Sequence, residues 1–130
     1  MRNGGREKMT PKQALLYARQ NPSLRQNVCK YIESSSIAFA WAILFPEDKD
    51  IMRDRINESR WAYRWALKWP EDKDIMRERI VDSYWAFQWA IWWPEDKDIV
   101  RKQIKDPFWF REWIRTFGPD PGLSQICKKE

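Results

Sequence analysis

Histidine is absent from this 130-residue chain, glycine occurs four times and cysteine twice. Without an imidazole the commonest general base and metal ligand is missing, and no glycine-rich phosphate loop or nucleophile elbow around a serine can be drawn. Cys29 and Cys127 sit near opposite ends and lack the spacing of a metal or redox pair, so they read as free thiols of a reducing cytoplasm. No apolar run reaches the roughly 18 residues of a membrane span. The opening "MRNGGREKM" has no apolar stretch behind its basic residues, so it does not read as a secretory signal. These absences predict a cytoplasmic, non-enzymatic chain with no catalytic residue, no metal, no cofactor and no membrane partner.

What is plentiful is tryptophan, at ten residues, within an ordinary apolar fraction of 43%. The formal net charge is +5, and it is unevenly placed. Residues 1–33 hold Arg2, Arg6, Lys8, Lys12, Arg19, Arg25 and Lys30 against Glu7 and Glu33. The remainder is balanced. A basic amino-terminal arm over residues 1–9 and the lysines and arginines behind it form one candidate surface for nucleic acid.

The dominant pattern is a repeat. "FPEDKDIMRDRI", "WPEDKDIMRERI" and "WPEDKDIVRKQI" place Pro46, Pro70 and Pro94 in a 24-residue frame. Pro22 falls in the same frame upstream, and "SIAFAWAILF", "RWAYRWALKW", "YWAFQWAIWW" and "FWFREWIRTF" repeat the other half. Such a period means stacked copies of one supersecondary unit. Residues 10–130 therefore read as one domain, with units starting near 22, 46, 70 and 94 and atypical ends acting as caps.

Each unit reads as a hairpin of two helices of about ten residues, about nine short helices in all. Proline suits the first helical position, and the carboxylates of "EDKD" suit the first turn, where unpaired amides and the dipole favour negative charge. That placement also accounts for these acids without a metal. Ile51, Met52 and Ile56 and their counterparts form the apolar stripe of this first helix. Ser35, Ser59 and Ser83 are candidate caps for the second helix, which must end at Phe45, Trp69 or Trp93 because the residue before proline is pushed out of the helical region. Trp41, Trp61, Trp65, Trp85, Trp89, Trp109 and Trp113 beside a stripe of alanines read as core. Arg53, Arg55, Arg77, Arg79, Arg101 and Lys102 read as a solvated face neutralised by neighbouring carboxylates. The expected fold is all-α, a short α-solenoid of stacked antiparallel hairpins.

This design resembles tetratricopeptide-like helical-hairpin solenoids over roughly residues 11–117, though the unit is shorter than their 34 or so residues and lacks their signature. "WAYRWA" and "WAFQWA" followed by "WPEDKDI" are also similar to short helical repeats of bacteriophage and bacterial proteins. The second resemblance implies a small phage-encoded adaptor or inhibitor acting on a host protein.

Function in a repeat is sought where copies disagree. In the second helix the disagreement follows one line: Ser36, Ala40, Leu44; then Arg60, Arg64, Lys68; then Tyr84, Gln88, Trp92; then Phe108, Glu112, Thr116. Residues spaced by four share a helix face. Arginine and aromatic side chains dominate interface energetics, so Arg60, Arg64, Lys68, Tyr84, Gln88, Trp92, Phe108 and Glu112 are the candidate protein-binding residues. Trp92 is expected to be exposed and Trp89 buried. A nucleic-acid-binding repeat and a self-assembling structural module are the competing readings. Neither the partner's identity nor the oligomeric state can be read from the residues.

Overall fold

The computed structural model describes residues 9–119. Arg2, Arg6, Lys8, Cys127 and the expected carboxy-terminal cap lie outside them. The described residues form eight α-helices joined through six 3₁₀ segments, with no strand among them. The chain divides into two compact units, one up to Trp61 and one from Ala62 on. Each stacks antiparallel helical hairpins, the all-α solenoid class that the repeat predicts.

Unit 1 opens with α1 (Pro11–Gln20), held by a reciprocal cap in which Thr10 Oγ1 accepts from the Gln13 amide and Gln13 Oε1 accepts from the Thr10 amide. Two 3₁₀ segments, Pro22–Asn27 and Cys29–Tyr31, lead to α2 (Ser35–Leu44) and α3 (Lys49–Arg53). α4 (Ser59–Lys68) carries the chain into unit 2, followed by α5 (Lys73–Arg77), α6 (Ser83–Trp92), α7 (Lys97–Val100) and α8 (Pro107–Phe117).

The first helix of each hairpin is shorter than its sequence suggests. Pro46–Asp48, Pro70–Asp72 and Pro94–Asp96 are 3₁₀ turns. The Asp48, Asp72 and Asp96 amides reach back to the carbonyls of Phe45, Trp69 and Trp93, each at 2.9 Å. Only four or five α-helical residues follow. The stripe is narrower too. Met52, Ile56, Met76, Ile80, Val100 and Ile104 are buried, whereas Ile51, Ile75 and Ile99 are exposed, because one α-helical turn has room for a single inward line.

That tight turn creates the central joint of the repeat. The Trp41 indole donates to Asp48 Oδ2 at 2.9 Å, Trp65 to Asp72 Oδ2 at 2.9 Å, and Trp89 to Asp96 Oδ2 at 3.0 Å. All six residues are buried. The third residue of "PED" is thus a buried acceptor for an indole, a role beyond that of a first-turn acid favoured by the helix dipole. A buried carboxylate needs compensating charge and donors. In unit 1 Arg25 Nε donates to Asp48 at 2.7 Å, its Nη2 meets Glu47 at 2.9 Å, and its guanidinium stands 4.9 Å from the Phe45 ring centroid. In unit 2 Lys73 lies 3.1 Å from Glu95 and 3.4 Å from Asp96, and Arg77 lies 3.3 Å from Asp96.

Burial pushes the Asp48 carboxyl up, but the hydrogen bonds from Arg25 and Trp41 and the guanidinium charge outweigh it and hold the group below its usual range. Asp96 behaves alike. Burial raises it, and the Trp89 indole with the charges of Lys73 and Arg77 brings it lower than an ordinary aspartate.

Ser35 and Ser83 do a different job from the capping expected of them. Ser34, not Ser35, caps α2, its Oγ accepting from the Ile37 amide at 3.4 Å. Ser35 is buried and exchanges bonds with Asn57, donating to Oδ1 at 3.0 Å and accepting from the amide at 2.9 Å. Ser83 donates to the Gln103 carbonyl at 3.1 Å and accepts from the Lys105 and Asp106 amides at 2.8 and 3.1 Å. These two hydroxyls stitch one helix start to the linker that follows the next helical pair.

The core is aromatic and small at once. Ala38, Ala42, Ala62, Ala66, Ala86 and Ala90 are fully buried. Large rings fill the space beside them: Trp65 packs tilted against Trp69 at 4.4 Å and Trp89 against Trp93 at 4.3 Å. Trp61, Trp85 and Trp109 are only partly buried, each meeting the ring before it in frame: Phe39 with Trp61 at 5.4 Å, Tyr63 with Trp85 at 5.2 Å, Phe87 with Trp109 at 5.2 Å.

Candidate protein-binding face

In unit 2 the helices α4, α6 and α8 lie side by side. Tyr63 on α4 meets Trp85, Trp89 and Trp93 at 5.2, 6.5 and 6.1 Å, and Trp109 on α8 meets Tyr84 and Phe87 on α6 at 5.1 and 5.2 Å. Burial, with Tyr84 close by, pushes the Tyr63 phenol above its ordinary value. The alanines turn toward neighbouring helices, so the line two residues on, about 200° round and thus on the opposite side of each helix, faces out.

That outward line is where the copies disagree. Arg64 and Lys68 on α4 are exposed, Lys68 with its ammonium 5.6 Å from the Trp69 ring. On α6 Trp92 is 60% exposed, while Trp89, within the same turn, is fully buried. Tyr84 is exposed and Gln88 half-buried. On α8 Phe108 is 50% exposed, and Glu112 is half-buried with Arg115 at 3.6 Å. The start of α8 is fixed by Asp106, whose Oδ1 accepts from the Phe108 amide at 2.8 Å. Arg60 lies on the first turn of α4, at the end of unit 1, its guanidinium 5.6 Å from the Trp61 ring.

The structure therefore gathers Arg64, Lys68, Tyr84, Gln88, Trp92, Phe108 and Glu112 on adjacent helices of one unit. The face is also wider than the single line compared in the sequence. Leu67 and Ile91 are exposed beside Lys68 and Trp92, and Arg111 and Arg115 are exposed on α8. One position before that line the copies carry Ile43, Leu67, Ile91 and Arg115, so the sequence signal there is confined to Arg115.

The second candidate surface is less coherent. Lys12, Arg19 and Lys30 are exposed. Arg25 is drawn into the joint with Asp48 and Glu47, so it is not an exposed basic contact. The arginines of the first helices are half-buried rather than a solvated face, and only part of their pairing is with the neighbouring carboxylates expected. Arg53 pairs with Asp50 at 2.9 Å, Arg77 with Asp74 at 2.8 Å, and Arg55 donates to the Cys29 and Ile32 carbonyls.

Among the described residues no cluster of histidine, cysteine, aspartate or glutamate is placed to hold a metal, and no helix is long and apolar enough to cross a membrane. Compared with known proteins, the chain matches no family model, no curated protein and no solved structure.

Proposed function

We propose that this chain is a non-enzymatic protein-binding module whose working face is the outward side of α4, α6 and α8. The observation that carries the reading is Trp92, an indole 60% exposed in a fold that buries the indole one turn position away. An exposed tryptophan flanked by Tyr84, Phe108 and basic residues is the composition of an interface hot spot. Short helices braced by a buried joint also present these side chains with little ordering cost on binding. The likeness of the repeat to phage and bacterial helical repeats makes a bacterial host protein the partner class to try first, in the manner of an adaptor or inhibitor.

The test is affinity capture from the native cell with the full chain and with Trp92→Ala. A protein retained at near one-to-one ratio by the first and lost by the second, with equal thermal melts, supports the reading. Equal retention by both overturns it.

Self-assembly that continues the same ring-to-ring contacts through α1 and α8 is disfavoured by their residues. The position of Phe39, Tyr63 and Phe87 is Arg111 on α8, and the position of Trp61, Trp85 and Trp109 is Gln13 on α1, both exposed. Neither side chain is the ring that the repeat places there. Nucleic-acid binding keeps the support of Lys12, Arg19 and Lys30, and it predicts retention that falls steeply with salt.

A further inference from the structure

We infer that the partner segment recognised by this face is acidic and carries apolar side chains, a short peptide stretch of another protein whose carboxylates meet Arg64 and Lys68 while its apolar residues cover Trp92 and Phe108. The inference rests on the protein-binding reading and adds the chemistry of the occupant.

Charge is segregated between the two kinds of helix in unit 2. Along α4, α6 and α8 beyond Trp61 the basic residues are Arg64, Lys68, Arg111 and Arg115, and the sole carboxylate is Glu112, which Arg115 approaches. Asp82 and Asp106 stand at the starts of α6 and α8, away from Lys68 and Arg115 near the other ends, and Glu95 and Asp96 are held by Lys73 and Arg77. The outward face thus carries more basic than acidic residues, and complementary charge both steers and selects a partner.

Size and composition narrow the occupant further. The line from Tyr84 to Trp92 spans about 12 Å at the helical rise, and three adjacent helices span about 20 Å at ordinary interhelix distances. A patch of a few hundred square ångströms is typical of a functional apolar site on a monomer and suits a peptide segment. A second copy of the same face is a poorer occupant, because two faces with an excess of basic residues repel each other. Leu67 and Ile91, exposed between the basic and aromatic residues, favour aliphatic contacts over the flat stacking that single-stranded nucleic acid requires.

The experiment uses the full chain and fluorescently labelled probes: three peptides sharing one pattern of leucine and phenylalanine but carrying glutamate, glutamine or lysine at every other position, and an oligothymidylate. Binding is followed by anisotropy at low and moderate salt. The glutamate peptide is expected to bind about tenfold or more tighter than the glutamine peptide, a gap of at least about 1.4 kcal/mol, and the lysine peptide not at all. Arg64→Glu combined with Lys68→Glu should reverse the order of the glutamate and lysine peptides, the milder Arg64→Gln with Lys68→Gln should level it, and Trp92→Ala should weaken the glutamate peptide about tenfold. Equal binding of the glutamate and glutamine peptides with Trp92 still required overturns the acidic partner but leaves the protein-binding reading standing. Tighter binding of the oligothymidylate than of any peptide overturns both. Failure of all probes to bind overturns the inference alone, since capture from the cell still decides the broader reading.

Discussion

Trp89 and Trp92 belong to the same turn of α6 and live in opposite surroundings. Trp89 is buried with its indole N–H on Asp96, and Trp92 stands in solvent. The copies agree at the first position and disagree at the second. A buried donor must find an acceptor and a cavity of the right shape, so the joint tolerates little change. An outward position answers only to whatever touches it. Repetition marks the frame in this chain, and variation marks the surface free to acquire a role.

The contrast is most sharply broken at the joint. Trp89→Ala removes the ring and leaves Asp96 without its donor, and is expected to cost about 3–5 kcal/mol, read as the shift in a denaturant midpoint. Asp96→Ala leaves the buried Trp89 indole N–H without its acceptor, while Lys73 and Arg77 keep Glu95 and Asp74, and the expected loss is about 1–3 kcal/mol. A loss under about 1 kcal/mol from either change would mean the joint is not the frame's main support.

Acid should weaken the same joint without mutation. Asp48 and Asp96 titrate below the ordinary aspartate value of 3.8. A depressed carboxylate contributes stability that is complete above the unfolded value and is lost as pH falls through the folded one. Urea midpoints should therefore hold from neutral pH down to about pH 5 and drop below about pH 4. Asp96→Asn should flatten that drop. An unchanged acid profile in the variant would place the titration elsewhere.

Smaller effects sharpen the comparison. Ser83→Ala strips an acceptor from the Lys105 and Asp106 amides and a donor from the Gln103 carbonyl, and should cost about 1–3 kcal/mol. Trp92→Ala should lie within about 0.5 kcal/mol of the parent, measured by the same melts. A loss of several kcal/mol from Trp92→Ala would place that indole in the packing, and the proposed face with it.

Much of the frame was legible in the residues because its signals are local. The prolines end the second helices, the alanines mark close approach, and the 24-residue period sets the hairpins. The joint was harder to see. Asp48, Asp72 and Asp96 follow a helix-breaking proline, and first-turn acids have an ordinary explanation in the dipole. Only the 3₁₀ turn at "PED" folds each carboxylate back onto the tryptophan seven positions earlier. The constant Trp-to-Asp spacing was the available signal. Ser35 and Ser83 misled for a related reason: a serine at a helix start looks like a cap, and its bonds to a linker some twenty residues on are invisible locally. On the outward face the variable line was legible by comparing copies, while Leu67 and Ile91 match apolar residues of the other copies and only their exposure separates them from the packed seam.

The paired rings also give the molecule an optical asymmetry. Indoles 4.4 Å apart at 50° in Trp65–Trp69, and 4.3 Å apart at 44° in Trp89–Trp93, are close and skewed enough for their electronic transitions to couple into an exciton couplet. The matching pair in unit 1 is Trp41–Phe45, where the second ring is a phenyl at 5.4 Å and 60°, whose weaker transition lies at higher energy. Circular dichroism in the indole bands should accordingly be dominated by the pairs of unit 2, so that the unit bearing the outward face reports its own unfolding by light, with no label attached.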